Sequence, residues 1–249
     1  MTVVAIAPLA QVPVGVVAIS PDTGDVLEAL RTRQPGQSVL VVASDRSGLE
    51  AARRARLALD DGSFGLVLCD IPPTLFFLTA AALADLPSDG FALAPMVVQS
   101  VSRGTRTTAL ISSVTGLERP RPSVSLDVVS LLPRTTFVVD WQAQQVRSGD
   151  PDEFGPAESV VVSRSERPVS PVDERLWPES RLELKTDGTF WGARRWMETT
   201  TLTAPLGALV DAVLRDEVVS RLPSCPSCRR LVGGDTCVFC QLLVSGGHA

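Results

Sequence analysis

Four cysteines near the end of the 249-residue chain carry its clearest chemistry: Cys225-Pro-Ser-Cys228, then eight residues, then Cys237-Val-Phe-Cys240. Each CxxC turn points two thiolates the same way, and two such turns can close around one tetrahedral metal ion, with zinc the metal that this ligand set selects. Four sulfurs leave no position for water or substrate, so the expected site is structural rather than catalytic. Gly233-Gly234 lets the chain reverse between the knuckles. The alternatives are a disulfide pair or free thiols, and nothing else in the sequence points to an oxidising compartment. A fifth cysteine, Cys69, ends the apolar run Gly65-Leu-Val-Leu-Cys69 and reads as a small buried hydrophobe. The only histidine, His248, lies in the terminal tail, so no Ser/His/Asp or Cys/His triad can be assembled in the core.

The cysteine pattern resembles the short zinc-ribbon family, in which knuckles of this spacing close a small β-hairpin module. The resemblance covers about the last tenth of the chain and implies a structural zinc ion held by Cys225, Cys228, Cys237 and Cys240. Such modules serve as interaction or nucleic-acid-touching appendages.

The elements that must carry this module begin with alternation. Val14 to Ser20, Ser38 to Ser44, Gly65 to Cys69 and Phe91 to Val98 read as strands; Val26 to Arg33, Leu49 to Leu59 and Leu75 to Leu86 read as helices. Strand and helix in turn mean a mainly parallel sheet covered on both faces. The segment Val-Val-Ala-Ile occurs twice, at Val3 to Ile6 and Val16 to Ile19. Residues 1–118 are therefore expected to form a Rossmann-like α/β domain. After the break at Glu118-Arg-Pro-Arg-Pro122, residues 119–203 read as a β-rich region with strands at Val124 to Leu132, Thr135 to Trp141 and Ser159 to Val162. Residues 204–249 read as an amphipathic helix running from Leu206 to Leu222, followed by the ribbon.

Within the β-rich region, Asp187-Gly188 is a two-residue turn signal for a hairpin over Arg181 to Thr201. Pairing outward from it sets Leu184 opposite Trp191 on the core face. The outer face then gathers Phe190, Arg194 and Trp196, an aromatic and arginine composition suited to binding a protein partner. Arg103, Arg106, Arg119 and Arg121 form a local basic cluster near the domain junction.

Two enzyme families share features with the first half. Ser20 to Asp25, Val39 to Asp45 and Asp61-Gly-Ser-Phe-Gly-Leu-Val-Leu-Cys-Asp70 resemble the class I methyltransferase pattern. That likeness implies S-adenosylmethionine beside Asp45 and a methyl-transfer site beside Asp70-Ile-Pro-Pro73. Pro21, Asp22 and Asp25 stand where a glycine loop would let the backbone approach the cofactor. Asp70-Ile-Pro-Pro-Thr74, followed by an apolar helix and a strand, is similar to the MinD/ParA group of P-loop ATPases. Their phosphate-cradling G-x-x-x-x-G-K-[ST] loop is missing, and the one lysine, Lys185, lies far from it. Ser44-Asp45 and Asp60-Asp61 fit the capping of helices and turns as well as catalysis.

A hydrophobic content of 45% supports a substantial core, while a net charge of -5 and a pI near 5.0 exclude a general nucleic-acid binder. No stretch reaches the roughly 18 apolar residues of a membrane helix, and the start reads as no signal peptide, which gives a soluble cytoplasmic expectation. Arginine in place of lysine fits a high-GC bacterial source. The sequence thus predicts a non-catalytic bacterial assembly protein. Its alternatives are a divergent nucleotide-cofactor or S-adenosylmethionine-dependent enzyme, and a nucleic-acid accessory factor acting through the ribbon with Arg229 and Arg230. An open crevice near Ser20, Asp45 and Asp70 would favour the enzyme; a filled one would favour the scaffold.

Overall fold

The computed structural model describes residues 2–7, 11–32, 37–132, 135–149, 157–169, 178–186 and 188–244. His248, Asp187 and the segments 150–156 and 170–177 lie outside them. Among the described residues no helix is long and apolar enough to cross a membrane.

The first sheet is parallel, built from β1 (Thr2–Ile6), β2 (Val16–Ile19), β3 (Val39–Ala43) and β4 (Phe64–Leu68) in the order β2-β1-β3-β4. The echoed Val-Val-Ala-Ile segments are neighbours in register, Val3 against Val16 through Ile6 against Ile19. All five residues of β3 are buried because both faces are covered. On one face lie α1 (Thr23–Arg31) and α2 (Arg46–Leu59), which meet Val39, Val41 and Ala43. Asp22 and Asp45 cap these two helices, accepting hydrogen bonds of 2.7 Å from the N–H groups of Gly24 and Gly48.

The other face packs on α3 (Pro73–Ala84), which is apolar around its circumference because it lies between two sheets. It touches β1 and β2 on one side and three strands of the second sheet on the other. The segment 91–98 is not a strand: a 3₁₀ turn at Ser88–Leu93 leads into α4 (Ala94–Arg103), where Pro95 suits the first helical turn and Ala94, Val97 and Val101 form the buried stripe.

The second sheet comprises β5 (Thr105–Ile111), β6 (Phe137–Asp140), β7 (Gln145–Ser148), β8 (Ser159–Arg164), β9 (Ser180–Leu184) and β10 (Trp196–Leu202) in the order β7-β6-β5-β10-β8-β9. It is mixed, since β8 and β9 run parallel and its other pairs are antiparallel. Two expectations fail here. Val124 to Leu132 contains the short helix α5 (Val124–Val129) rather than a strand, with Val124 and Val128 exposed. No hairpin joins β9 to β10: β10 pairs with β5 and β8, and Thr189–Trp191 forms a 3₁₀ turn. Local turn chemistry pointed to a hairpin, but β8 occupies the edge of β10 that β9 would need.

The last helix also differs from the expected single rod, breaking at the extended residue Arg215 into α6 (Leu206–Leu214) and α7 (Asp216–Val219). The ribbon then docks on the outer edge of β4. Leu66 donates its N–H to the carbonyl of Val238 at 2.8 Å and accepts from Gln241 Nε2 at 3.2 Å, so an otherwise open sheet edge is covered.

Candidate functional site

A crevice of about 280 Å³ opens at the carboxyl ends of β1, β3 and β4. Ala7 follows β1, Ser44 and Asp45 follow β3, and Asp70 and Ile71 follow β4. From β1 the chain leaves toward β2, and from β3 it leaves toward β4 on the other side. The crevice therefore sits where strand order reverses, the usual ligand position in open α/β sheets.

Its two walls come from different layers. Pro73 and the buried Phe76 are on α3; Gly116, Glu118 and Arg119 lie after β5, and Thr186, Thr189 and Phe190 lie between β9 and β10. Phe190 is held edge-on between Trp141, at 5.6 Å, and Trp191, at 5.0 Å. The loops forming the second wall interlock at two glycines: a Cβ on Gly116 would lie 2.6 Å from the carbonyl oxygen of Gly192, and one on Gly192 2.2 Å from that of Gly116. At the mouth, Arg119 donates to Asp70 at 2.6 Å, and Asp45 and Glu118 share the rim. The lining is thus mixed: Ile71, Pro73, Phe76 and Phe190 give it an apolar patch, Ser44, Thr186 and Thr189 add hydroxyls, and Asp45, Glu118 and Arg119 are exposed charges.

The predicted positions fall as follows. Asp45 and Asp70 reach the crevice; Ser20 does not line it, and its hydroxyl instead accepts from Asp22 N–H. The intended partner face of Phe190, Arg194 and Trp196 is not assembled, because Phe190 lines the crevice, Arg194 is exposed and Trp196 is buried. The Trp196 indole lies over Gly188, where φ is +72° and a Cβ would fall 2.0 Å from Trp196 Nε1. The arginine cluster is divided, with Arg106 paired to Asp140 and Arg119 to Asp70. Cys69 is fully enclosed, and burial pushes its thiol up to about 12, which leaves it inert.

The four ribbon cysteines come together, with their sulfurs all within 4.8 Å of one another. Cys228 Sγ and Cys237 Sγ are 3.7 Å apart, close to the ~3.8 Å edge of a tetrahedron with metal–sulfur bonds of ~2.3 Å and far beyond a disulfide bond. The two knuckles repeat one hydrogen-bond pattern: Cys225 N–H to Arg230 O and Arg229 N–H to Cys225 O recur as Cys237 N–H to Leu242 O and Gln241 N–H to Cys237 O. The backbone N–H groups of Cys228 and then Ser227, against the effect of burial, draw the Cys225 thiol down to about 7. The cluster can hold a metal ion. Neither Gly233 nor Gly234 takes a positive φ; the positive-φ residues of the ribbon are Arg229 and Gln241, at +60° and +57°, each directly after a knuckle. Gly233 instead lets the ribbon approach Ala92, donating its N–H to the Ala92 carbonyl at 3.1 Å.

No family model and no curated protein matches the sequence. Solved structures do. A DegV family protein from Corynebacterium glutamicum is similar over 82% of this chain and 98% of its own, with a TM-score of 0.54 and 14% identity. The fatty acid kinase B3 protein of Streptococcus pneumoniae, solved loaded with linoleic acid, is similar over 82% of this chain and 100% of its own, with a TM-score of 0.54 and 13% identity. A DegV family protein from Eubacterium eligens, solved loaded with heptadecanoic acid, is similar over 82% and 99%, with a TM-score of 0.50 and 11% identity.

The fold is therefore DegV-like, not that of the methyltransferases or the MinD/ParA ATPases. The expectation of a non-catalytic assembly protein, together with its methyltransferase and nucleic-acid alternatives, is overturned by this likeness to structures holding fatty acids. The first-half pattern misled because alternating strands and helices are common to all of these architectures.

Proposed function

We propose that the chain binds one long acyl chain in the crevice between its two sheets. The observation that carries this reading is the apolar patch formed by Ile71, Pro73, Phe76 and Phe190 beside the exposed Arg119 in one crevice. Arg119 is the cation in the lining, and its planar fork suits a carboxylate head. The fatty acids in two structures of this fold support the same class of ligand. The ribbon cysteines hold zinc in a closed structural role, outside the crevice.

Asp45, Asp70 and Glu118 share the rim with Arg119, so an anionic head must displace Asp70 from Arg119, whereas a neutral head need not. The test is displacement of a fluorescent hexadecanoic acid from delipidated protein by hexadecanoic acid and by hexadecanol. We expect one site per chain, weakened about tenfold for the acid by Arg119→Ala through loss of a charge-assisted hydrogen bond. Preference for the alcohol would remove Arg119 from the head-group role. Failure of both to bind would overturn the acyl-chain reading.

A further inference from the structure

The two walls of the crevice are joined by a buried acid that ligand contact does not require. Glu198, in the middle of β10, faces α3 and is wholly buried. Its Oε1 accepts from the Thr74 backbone N–H at 2.7 Å and from Thr74 Oγ1 at 2.5 Å; its Oε2 accepts from Trp191 Nε1 at 2.7 Å. A hydroxyl chain extends the network, with Thr74 Oγ1 2.6 Å from Thr200 Oγ1 and Thr200 Oγ1 2.8 Å from Thr107 Oγ1.

Thr74 opens α3 between the wall residues Pro73 and Phe76. Trp191 ends the 3₁₀ turn whose Thr189 and Phe190 form the opposite wall. One oxygen of Glu198 thus holds the first wall and the other holds the second. All three donors are neutral groups, and an apolar side chain in this place would avoid the cost of desolvating a carboxyl. Stability alone does not call for an acid here; a fixed distance between two separately built walls does.

We propose that Glu198 is a positioning residue, whose two oxygens set the spacing between the α3 wall and the 189–191 wall and thereby the width of chain the crevice admits. This rests on the acyl-chain reading for its ligand, but the network itself can be measured without one. Glu198→Gln keeps a single acceptor oxygen and sets an NH₂ group against one of the two N–H donors, while removing the cost of a buried charge. Trp191→Phe deletes only the indole donor and keeps an aromatic ring.

The experiment compares affinity for fluorescent hexadecanoic acid, the urea unfolding midpoint and amide exchange at residues 74–77 and 189–192. For Glu198→Gln we expect affinity to fall about tenfold, as for one charge-assisted hydrogen bond. The unfolding midpoint should stay level or rise, and exchange should quicken in both segments or in the one released. Trp191→Phe should lower affinity with faster exchange confined to 189–192. Affinity and unfolding midpoint falling together in both variants would make Glu198 a merely structural residue and overturn the proposal, as would unchanged affinity with unchanged exchange. A wild-type protein that binds no acyl chain, with exchange still quickened at the walls in Glu198→Gln, would keep the positioning role and overturn the acyl-chain reading alone.

Discussion

Folding carries Glu198 from water into a site where its ionised form loses hydration, and burial outweighs the Thr74 and Trp191 hydrogen bonds to push its pKa from 4.5 up to about 7. Between those values the folded state binds a proton that the unfolded state has already released. The contribution to stability is therefore complete below about pH 4.5 and is lost as pH rises through about 7. Its size is of order 3 kcal/mol, since each unit of difference corresponds to about 1.4 kcal/mol. Urea unfolding at pH 5.5 and pH 8.0 should show the wild type more stable at the lower pH and Glu198→Gln without that increment. A wild type equally stable at both, or a Gln variant with the same difference, would contradict the assignment. Cys69, with its thiol at about 12, adds no titration in this range.

At the scale of elements, the ribbon is also the cover of a sheet edge. Phe239 packs within reach of Gly65 on β4, beneath the Arg230 guanidinium at 3.9 Å from its ring, and Val238 supplies the carbonyl that Leu66 needs. Arg230 also donates to the carbonyl of Gly62 at 3.0 Å. Metal binding in small cysteine modules is worth roughly 10 kcal/mol of folding free energy, so the ribbon should lose its shape without the ion. Replacing Cys228 or Cys237 by Ser is therefore expected to abolish stoichiometric zinc by elemental analysis. It should also raise amide exchange at Leu66 while leaving β1 and β3 protected. Full zinc content in either variant would remove that cysteine from the ligand set, and an unchanged Leu66 amide would mean the edge is held without the metal.

For the molecule as a whole, the main core runs from one face of the parallel sheet through α3 and α4 to the inner face of the six-stranded sheet, and includes Cys225, Cys237 and Phe239 of the ribbon. The crevice is a gap in this continuous core, with one wall from each side. A ligand that bridges both walls binds only the assembled state and stabilises it by mass action, about 2.7 kcal/mol at a hundred times its dissociation constant. Saturating hexadecanoic acid should accordingly raise the melting temperature of the delipidated protein, and Phe76→Ala should reduce the increase. No shift in the wild type under conditions where displacement shows binding would place the ligand outside the crevice.

Local chemistry was legible wherever neighbours in sequence decide it. The two CxxC turns fix their own thiolate directions, Asp45 caps the helix that follows it, and the all-apolar run at Val39–Ala43 reads as a strand buried on both faces. The tertiary structure decided what depends on distant partners. Asp187-Gly188 looked like a hairpin turn, yet β8 takes the edge of β10, because strand pairing is settled by which faces must be buried together across the whole sheet. Glu198 was not singled out in the sequence, and its role appeared only when α3 brought Thr74 to one oxygen and the 189–191 turn brought Trp191 to the other. The crevice was likewise beyond sequence reasoning, since Phe76 of one wall is 40 residues from Gly116 and 114 from Phe190 of the other, and they become one site only because α3 is packed between the two sheets.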